Sequence, residues 1–505
     1  MKRTNDVVHS GSVKLWHPWN DKKGVPSRPC FYENGTIYGV DGNRIEQCTN
    51  VEQLTSIIPR KGLYVICQDI LSEREFPYVD ELLGRQDFTP YLSRTGGVPA
   101  SRIKGGKGCS GFLLPAKTWT ADGPPDAELV RNISTIFALC GFQSTTPSSL
   151  SEKILRSTLP EKLYISRPSL RLRDDILSNH TGGRIDRVLV PSFYKYAFEY
   201  DKRKAYLHHS RLVPSPFQAP VLRTRPALED AMEYAAGWWL VEMIAHNCSG
   251  VQPIQIEGRN AVEGETFERW LWSGEIRDCL AQGYSCLQIK RGYGFRQTST
   301  FMLQWSDVLW DFYVQAQNES PLIRDIFKAM MVGLPGRFLR KPERYVLRHF
   351  TQAVPGDIPL PVKWREGSTQ VLSHWVAHPE PDPESTALAP VGSYIVAEMR
   401  REIYRIAKAE QDRGNLLLRS YIDCVAFEYP AETLDIGPGL GQYKEKQFVN
   451  VYAEENRFIG QQLDPYGWPE DAEMRAPGLA KGKNAQGFAQ RAQLWRKYHG
   501  HLGSV

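Results

Sequence analysis

The segment Arg419-Ser-Tyr-Ile-Asp-Cys-Val-Ala-Phe-Glu-Tyr-Pro430 sets one carboxylate, Asp423, among strand-forming residues on both sides: Tyr421, Ile422, Val425 and Phe427. An acid inside so apolar a strand costs several kcal/mol unless it is paired, protonated or metal-bound. A fold that uses this strand must therefore bring it a partner. A candidate lies more than two hundred residues earlier in Phe198-Glu-Tyr-Asp-Lys-Arg-Lys-Ala-Tyr206, where Asp201 closes a run of aromatic strand residues and precedes a basic turn. A carboxylate at such a strand end can hold a divalent metal beside a polyphosphate. A solvated strand-end Asp is the alternative for Asp201, and a structural explanation is the alternative for Asp423. Two such strands side by side make a two-metal site, which also needs a template groove and cations for a triphosphate.

Arg324 and Lys328 in PLIRDIFKAMMVGLPGRF supply cations four residues apart, on one helical face. The alternative is a solvated face, but Gly333 and Gly336 just beyond suggest a close backbone approach.

Around these segments the chain reads as a mixed α/β protein. TIYGV (36–40) and GLYVICQDI (62–70) are strand-like, the Gly-rich stretch 93–111 reads as a loop, and 126–141 as a helix stopped by Gly141. Two strands are expected to flank Pro191-Ser192, and a helix, a Gly283 stop and a strand follow over 275–289. The apolar run AAGWWLVEMIA, within 227–247, reads as a buried helix. It is about half of the roughly 20 residues that a membrane span needs. Two helices break at Ser320-Pro321, the proline-rich stretch 355–393 suggests a strand pair or loop, a helix covers about 394–414, and the basic tail from 461 reads as a small helical cap.

The balance of 62 basic against 57 acidic residues, a net charge of +5, permits a polyanionic partner without requiring one. Nine cysteines with no C-x-x-C pair argue against a disulfide framework or zinc knuckle and for a reducing cytosol. The adjacent His208-His209 reads as a strand or loop feature with no chemical role. No apolar run follows the basic N-terminus, so no secretory signal is expected.

In their order along the chain, these motifs resemble those of family B DNA polymerases, especially the compact phage, plasmid and organellar branch, over about residues 140–490. The first palm motif, Asp-x-x-Ser-Leu-Tyr-Pro, is matched by Asp201 and Tyr206, the resemblance making Tyr206 the residue under the sugar that excludes ribonucleotides. Gly182-Gly183-Arg184 with Asp186 resembles the template-contacting Gly-Gly motif upstream of it. The fingers motif is matched by Lys328 and Gly336, with Val332, Gly333 and Pro335 in place of Asn, Ser and Tyr. Tyr421-Ile-Asp-Cys-Val425 resembles Asp-Thr-Asp-Ser-Val. Aligned on Cys424-Val425, Asp423 takes the essential second acid's place; the other register puts Val425 there, but the first also aligns the hydrophobics that follow.

SGEIRDCLAQG (273–283) resembles a further palm segment, Leu440-Gly441 with Glu445 the strand after the second acid, Asn456-Arg457-Phe458 the primer grip, and Arg475–Gly478 with Lys481 the start of the thumb. The resemblance implies a right-hand polymerase of class α/β (α+β): a degenerate exonuclease-like α/β domain at 1–150, palm at 151–300 and 346–460, fingers at 301–345 and a small thumb at 461–505. Asp201 and Asp423 are the expected catalytic and metal-binding acids, for two Mg²⁺ with Mn²⁺ as a substitute. Tyr206, Arg324, Lys328 and Gly336 are expected to bind the dNTP; Gly182, Gly183, Arg184, Lys444, Arg457 and Lys481 the DNA. Primed template and dNTPs are the expected partners, with a priming protein or other replication proteins besides, in a bacterial host cytosol and without a membrane. The exonuclease acids are not recognisable, so proofreading is expected to be absent. The competing expectation is a catalytically drifted polymerase fold that binds DNA in replication initiation or as a scaffold.

Overall fold

The computed structural model describes residues 14–16, 28–48, 50–61, 63–69, 79–91, 100–104, 110–120, 125–159, 163–165, 168–186, 188–316, 320–340, 343–365, 368–381, 388–455, 457–463 and 469–475. The chain forms two compact units, one from residues 15–164 and 304–387, the other from 1–14, 165–303 and 388–505.

The first unit opens with β1 (Arg28–Glu33), β2 (Thr36–Tyr38), β3 (Arg44–Gln47), α1 (Val51–Lys61), β4 (Leu63–Cys67), α2 (Val79–Leu83), β5 (Phe88–Tyr91), β6 (Ala100–Lys104) and β7 (Ser110–Pro115). The strands form one seven-stranded sheet in the order β3-β2-β1-β4-β7-β6-β5, with β4 parallel to both neighbours. All five residues of β4 are buried, as an interior parallel strand requires. Strand β6 falls inside the stretch expected to be a loop, because it pairs on both sides. α3 (Ala127–Cys140) starts on an Asp126 cap and ends at Gly141 as expected, and α4 (Pro147–Ser157) follows.

The second unit begins with α5 (Leu170–Asn179), β8 (Val188–Lys202), α6 (Ala205–His209), β9 (Val221–Thr224), α7 (Leu228–Met232), β10 (Ala236–Ile244), β11 (Thr266–Trp272), α8 (Ser273–Gln282) and β12 (Ser285–Phe295). Instead of two strands flanking Pro191-Ser192, a single strand runs through with an irregular register there, the place where a sheet tolerates proline. The expected apolar helix over 227–247 is a correction: only α7 is helical, and the apolar run is β10. β10 pairs with β11 and β12 on its two edges, both its faces are buried over Ala236–Trp239 and one face beyond, and Trp238 packs against Trp270 and Trp272 at 5.6 and 5.4 Å. A strand buried on both faces has the same unbroken apolar sequence as a buried helix.

Chain order then returns to the first unit with α9 (Leu303–Ala316), α10 (Pro321–Phe338), β13 (Glu343–His349), β14 (Ile358–Arg365) and β15 (Ser368–Pro381). The break before Pro321 is as expected, and the proline-rich stretch is a strand pair within a β13-β15-β14 sheet whose Tyr345, Leu347 and Trp375 pack on the N-terminal core. Trp305 Nε1 donates to Ser151 Oγ at 3.1 Å and Arg337 pairs with Glu152 at 2.7 Å, tying both helices to α4.

The second unit is completed by α11 (Ala389–Asp412), β16 (Leu417–Tyr421), β17 (Cys424–Phe427), β18 (Tyr443–Glu455), β19 (Arg457–Leu463) and β20 (Pro469–Arg475). With β8 they make a six-stranded sheet in the order β16-β17-β8-β18-β19-β20. Helix α11 closes its core through Ile403, among Phe198, Tyr200, Val425, Phe427 and Tyr443. The expected helical tail continues as strands to Arg475, since those residues extend the sheet edge; 476–505 lie outside the described residues. No helix among the described residues is long and apolar enough to cross a membrane.

Candidate active site

Strand β8 sits between β17 and β18, and this three-strand centre carries the predicted acids. Asp201 lies opposite Cys424 on one side and Lys444 on the other, and one residue further Lys202 N–H donates to the Asp423 carbonyl at 2.9 Å. Two acids 222 positions apart in sequence thus occupy neighbouring strand ends. Asp201 is exposed and Asp423 half-buried. Asp423 is not inside a strand, as its sequence suggested, but in the two-residue loop of the β16–β17 hairpin, where Tyr421 faces Cys424. That loop puts Ile422 at φ 57°, the first loop position of a tight hairpin where glycine is preferred. Asp423 N–H donates to the Tyr421 carbonyl at 2.7 Å.

Tyr206 stands on α6, which starts immediately after the turn that follows Asp201. Burial raises the Tyr206 hydroxyl above its ordinary range, and the nearby charge of Asp423 raises it further. Behind the strand ends a polar network locks the elements. Lys202 pairs with Glu402 of α11 at 2.6 Å, His209 Nε2 lies 2.7 Å from the other Glu402 oxygen, and Tyr443 donates its hydroxyl to Glu402 at 3.1 Å. Burial pushes the Glu402 carboxyl up, but the hydrogen bonds and charges of His209 and Lys202 outweigh it and hold it at about 2. His208-His209 is therefore a helix feature rather than strand or loop. His209 contacts Glu402, and the His208 ring fills the space where a Gly441 side chain would stand, 2.1 Å from an added Cβ, at φ 81°. Glu402 has no signature in sequence; the adjacent histidines just after Asp201 were the available signal.

The Gly-Gly loop reaches this site from the other side. An added Cβ on Gly183 would lie 3.0 Å from Ile422 Cα, and Ile422 N–H donates to the Arg184 carbonyl at 2.8 Å. The Gly182 carbonyl accepts from Arg400 at 2.9 Å, and Arg400 in turn pairs with Glu275 of α8 at 2.6 Å. Arg184, expected to contact DNA, requires correction. Its side chain is 2% exposed and bidentate to Asp186 at 2.5 and 2.6 Å, and it lies over the Tyr404 ring. Ser420 Oγ accepts from Asp186 N–H at 2.8 Å and donates to its carboxylate at 2.6 Å. The guanidinium braces the hairpin instead of facing a phosphate, because a nearby carboxylate satisfies its planar donors.

Lys444 is exposed across from Asp201. Arg457 opens β19 opposite Glu454, and Lys481 lies outside the described residues. Arg324, Lys328 and Gly336 belong to the other compact unit, on α10. Lys328 is exposed and Arg324 is 3.4 Å from Asp325. The expected close approach belongs to Gly333, where an added Cβ would be 2.9 Å from Ser148 of α4; Gly336 faces open space.

Among the described residues no cluster of three or more His, Cys, Asp or Glu side chains is disposed to hold a metal. The donor set at the sheet centre is two carboxylates. Those are hard oxygen donors of the kind Mg²⁺ takes one or two of, completing its shell with water and substrate phosphates, so the pair fits such an ion.

No protein-family profile matches the chain, and neither does any curated protein. Solved structures do. Phi29 DNA polymerase in its ternary complex with primer-template DNA and incoming nucleotide substrates matches with a TM-score of 0.69 and 13% identity, over 92% of this chain and 94% of that one. The same polymerase with single-stranded DNA gives 0.67 and 14% over the same shares. The likeness shows the fold: a mixed α/β chain with the architecture of a family B polymerase, as the motif order led one to expect.

Proposed function

We propose that this chain is a DNA-directed DNA polymerase that extends a primer 3′-hydroxyl with dNTPs. The observation that carries the reading is the meeting of Asp201 and Asp423 on neighbouring ends of β8 and the β16–β17 hairpin, on a fold matched over 92% of the chain by a polymerase solved with primer-template DNA and nucleotide.

In this reading Asp201 and Asp423 hold two Mg²⁺. Such ions, held by these two carboxylates, would supply Lewis acidity toward the primer hydroxyl and the pyrophosphate leaving group. The protein's own part is positioning. Strand β8 and the hairpin fix the two carboxylates relative to each other, and the Glu402 network fixes β8 to α6 and thus to Tyr206. Tyr206 packs under the sugar and bars a 2′-hydroxyl. Arg324 and Lys328 neutralise the triphosphate. Lys444, Gly182, Arg457 and Lys481 serve primed DNA, largely through phosphates, so binding weakens steeply with salt. In this reading palm, fingers and thumb take the boundaries expected from the sequence, except that residues 346–387 fold with 15–164 instead of with the second part of the palm.

Absence of proofreading belongs to the same proposal. No Asp-x-Glu follows a hydrophobic strand in the N-terminal region, and the acid just beyond β4, Asp69, is neutralised by Lys117 at 2.8 Å. A role in replicating a phage, plasmid or other mobile element, with a priming protein or other replication proteins, completes it.

The test is extension of a primed template with dNTPs and Mg²⁺ or Mn²⁺ by wild type, Asp201→Ala and Asp423→Ala. Extension by wild type that is lost in both variants supports the reading. A wild type that gel-shifts primed DNA but extends with neither metal refutes it and leaves the drifted DNA-binding fold.

A further inference from the structure

The hairpin that carries Asp423 is strained at the residue just before the acid. Ile422, a β-branched residue, is held at φ 57° directly before the acid, a conformation that costs on the order of 1–3 kcal/mol and persists only where the surroundings over-determine it. The surroundings here are the Gly-Gly loop. Gly183 presses on Ile422 so closely that an added Cβ would stand 2.7 Å from its Cγ1 and 3.0 Å from both its Cα and its Cβ. The Arg184 carbonyl takes the Ile422 N–H at 2.8 Å, and the buried Arg184–Asp186–Ser420 cluster pins that loop to the end of β16.

We propose that Gly183 is a positioning residue for Asp423: its bare Cα admits Ile422, and the resulting contact holds the left-handed turn that fixes the acid at the strand end next to Asp201. The proposal rests on the polymerase reading for its catalytic consequence, while the holding of the turn is independent of it. A change of Ile422 rotamer relieves the contact at Cγ1 but not those at Cα and Cβ, so a methyl group at 183 must displace the turn itself. A template-contacting glycine, by contrast, would alter DNA affinity without moving the hairpin.

Three variants of the full chain test this: Gly183→Ala, Ile422→Gly and the pair together. The readouts are steady-state primer extension, Mn²⁺ binding by electron paramagnetic resonance, and amide hydrogen exchange of peptides spanning 419–427. For Gly183→Ala, kcat falls on the order of 10- to 100-fold, while the Kd for primed DNA and the KM for dNTP stay within about twofold. Mn²⁺ binds more weakly, and exchange at the hairpin accelerates as the Ile422 N–H loses its acceptor. Ile422→Gly alone also speeds exchange, because the packing on Gly183 is lost. In the double variant the alanine methyl takes the space vacated by the isoleucine, and exchange and kcat recover above those of Gly183→Ala. If Gly183→Ala does not accumulate as folded protein, recovery in the double variant still decides. Wild-type exchange and kcat in Gly183→Ala, or a double variant no better than Gly183→Ala, overturns the proposal. A wild type without extension, but with the expected exchange pattern, removes the polymerase reading and leaves the clamp on the turn standing.

Discussion

Replacing Arg184 by methionine separates two roles for one residue, phosphate contact and internal brace. The guanidinium and the Asp186 carboxylate are 2% and 9% exposed and joined by two hydrogen bonds of 2.5 and 2.6 Å. Arg184→Met leaves the carboxylate buried, with Ser420 Oγ and Gln255 Nε2 as its remaining donors among the described residues. Breaking a buried pair from one side costs about 3–5 kcal/mol, because the remaining charge is uncompensated. In a unit of this size that lowers Tm by roughly 6–20 °C. The double variant Arg184→Met/Asp186→Asn removes the stranded charge and recovers at least half of the loss. Differential scanning calorimetry on the three variants measures this. Affinity for primed DNA, titrated from low to high salt, reports the other role, since a lost phosphate contact flattens the salt slope by about one counterion. Unchanged melting in Arg184→Met together with a flattened salt slope would refute the reasoning and return Arg184 to the DNA interface.

Other outcomes follow from the same geometry. Gly441→Ala meets both the φ of 81° and the His208 ring; it destabilises by about 1–3 kcal/mol and, by shifting α6 with Tyr206, weakens exclusion of ribonucleotides in a competition assay. Arg324→Ala and Lys328→Ala, on the outside of α10, raise the KM for dNTP roughly tenfold yet leave Tm nearly unchanged, as surface substitutions do. His208 and His180 are each held down at about 4, His208 by burial and then Lys202, His180 by burial and then Arg400. The unfolded chain therefore binds more protons between the ordinary histidine value and about pH 4, so stability falls as pH drops through that window. Scanning fluorimetry from pH 7 to 4 should show the decline, and His208→Gln should flatten it. Glu402, held down at about 2, contributes stability that is lost only below the ordinary glutamate range; Glu402→Gln removes that second, more acidic step.

Local rules reached far in this chain because several signals were local. The caps Asp126 and Gly141, the stop at Gly283 and the break before Pro321 lie in the residues that make them, and α3, α8, α9 and α10 follow. They failed where burial decided. The run through Trp238 and Trp239 is apolar but for Glu242, a pattern that suits a buried helix and a largely buried strand equally; pairing with β11 and β12 chose the strand. Arg184 looked like any basic residue beside a Gly-Gly pair, since nothing in the order of letters shows Ser420, Tyr404 and Gln255 closing around it.

What the sequence determined by itself was the inventory: an acid at the end of an aromatic strand, a second acid amid strand formers, a tyrosine five residues after the first, two cations a helical turn apart, and an order of motifs that resembles one family of polymerases. Tertiary structure alone decided their relations. It put Asp423 in a turn rather than a strand, because Tyr421 pairs with Cys424 and forces the two residues between them to reverse the chain. It also recruited Glu402 and Gly183 to the site from distant segments, through a buried charge network and a contact that only a residue without a side chain permits.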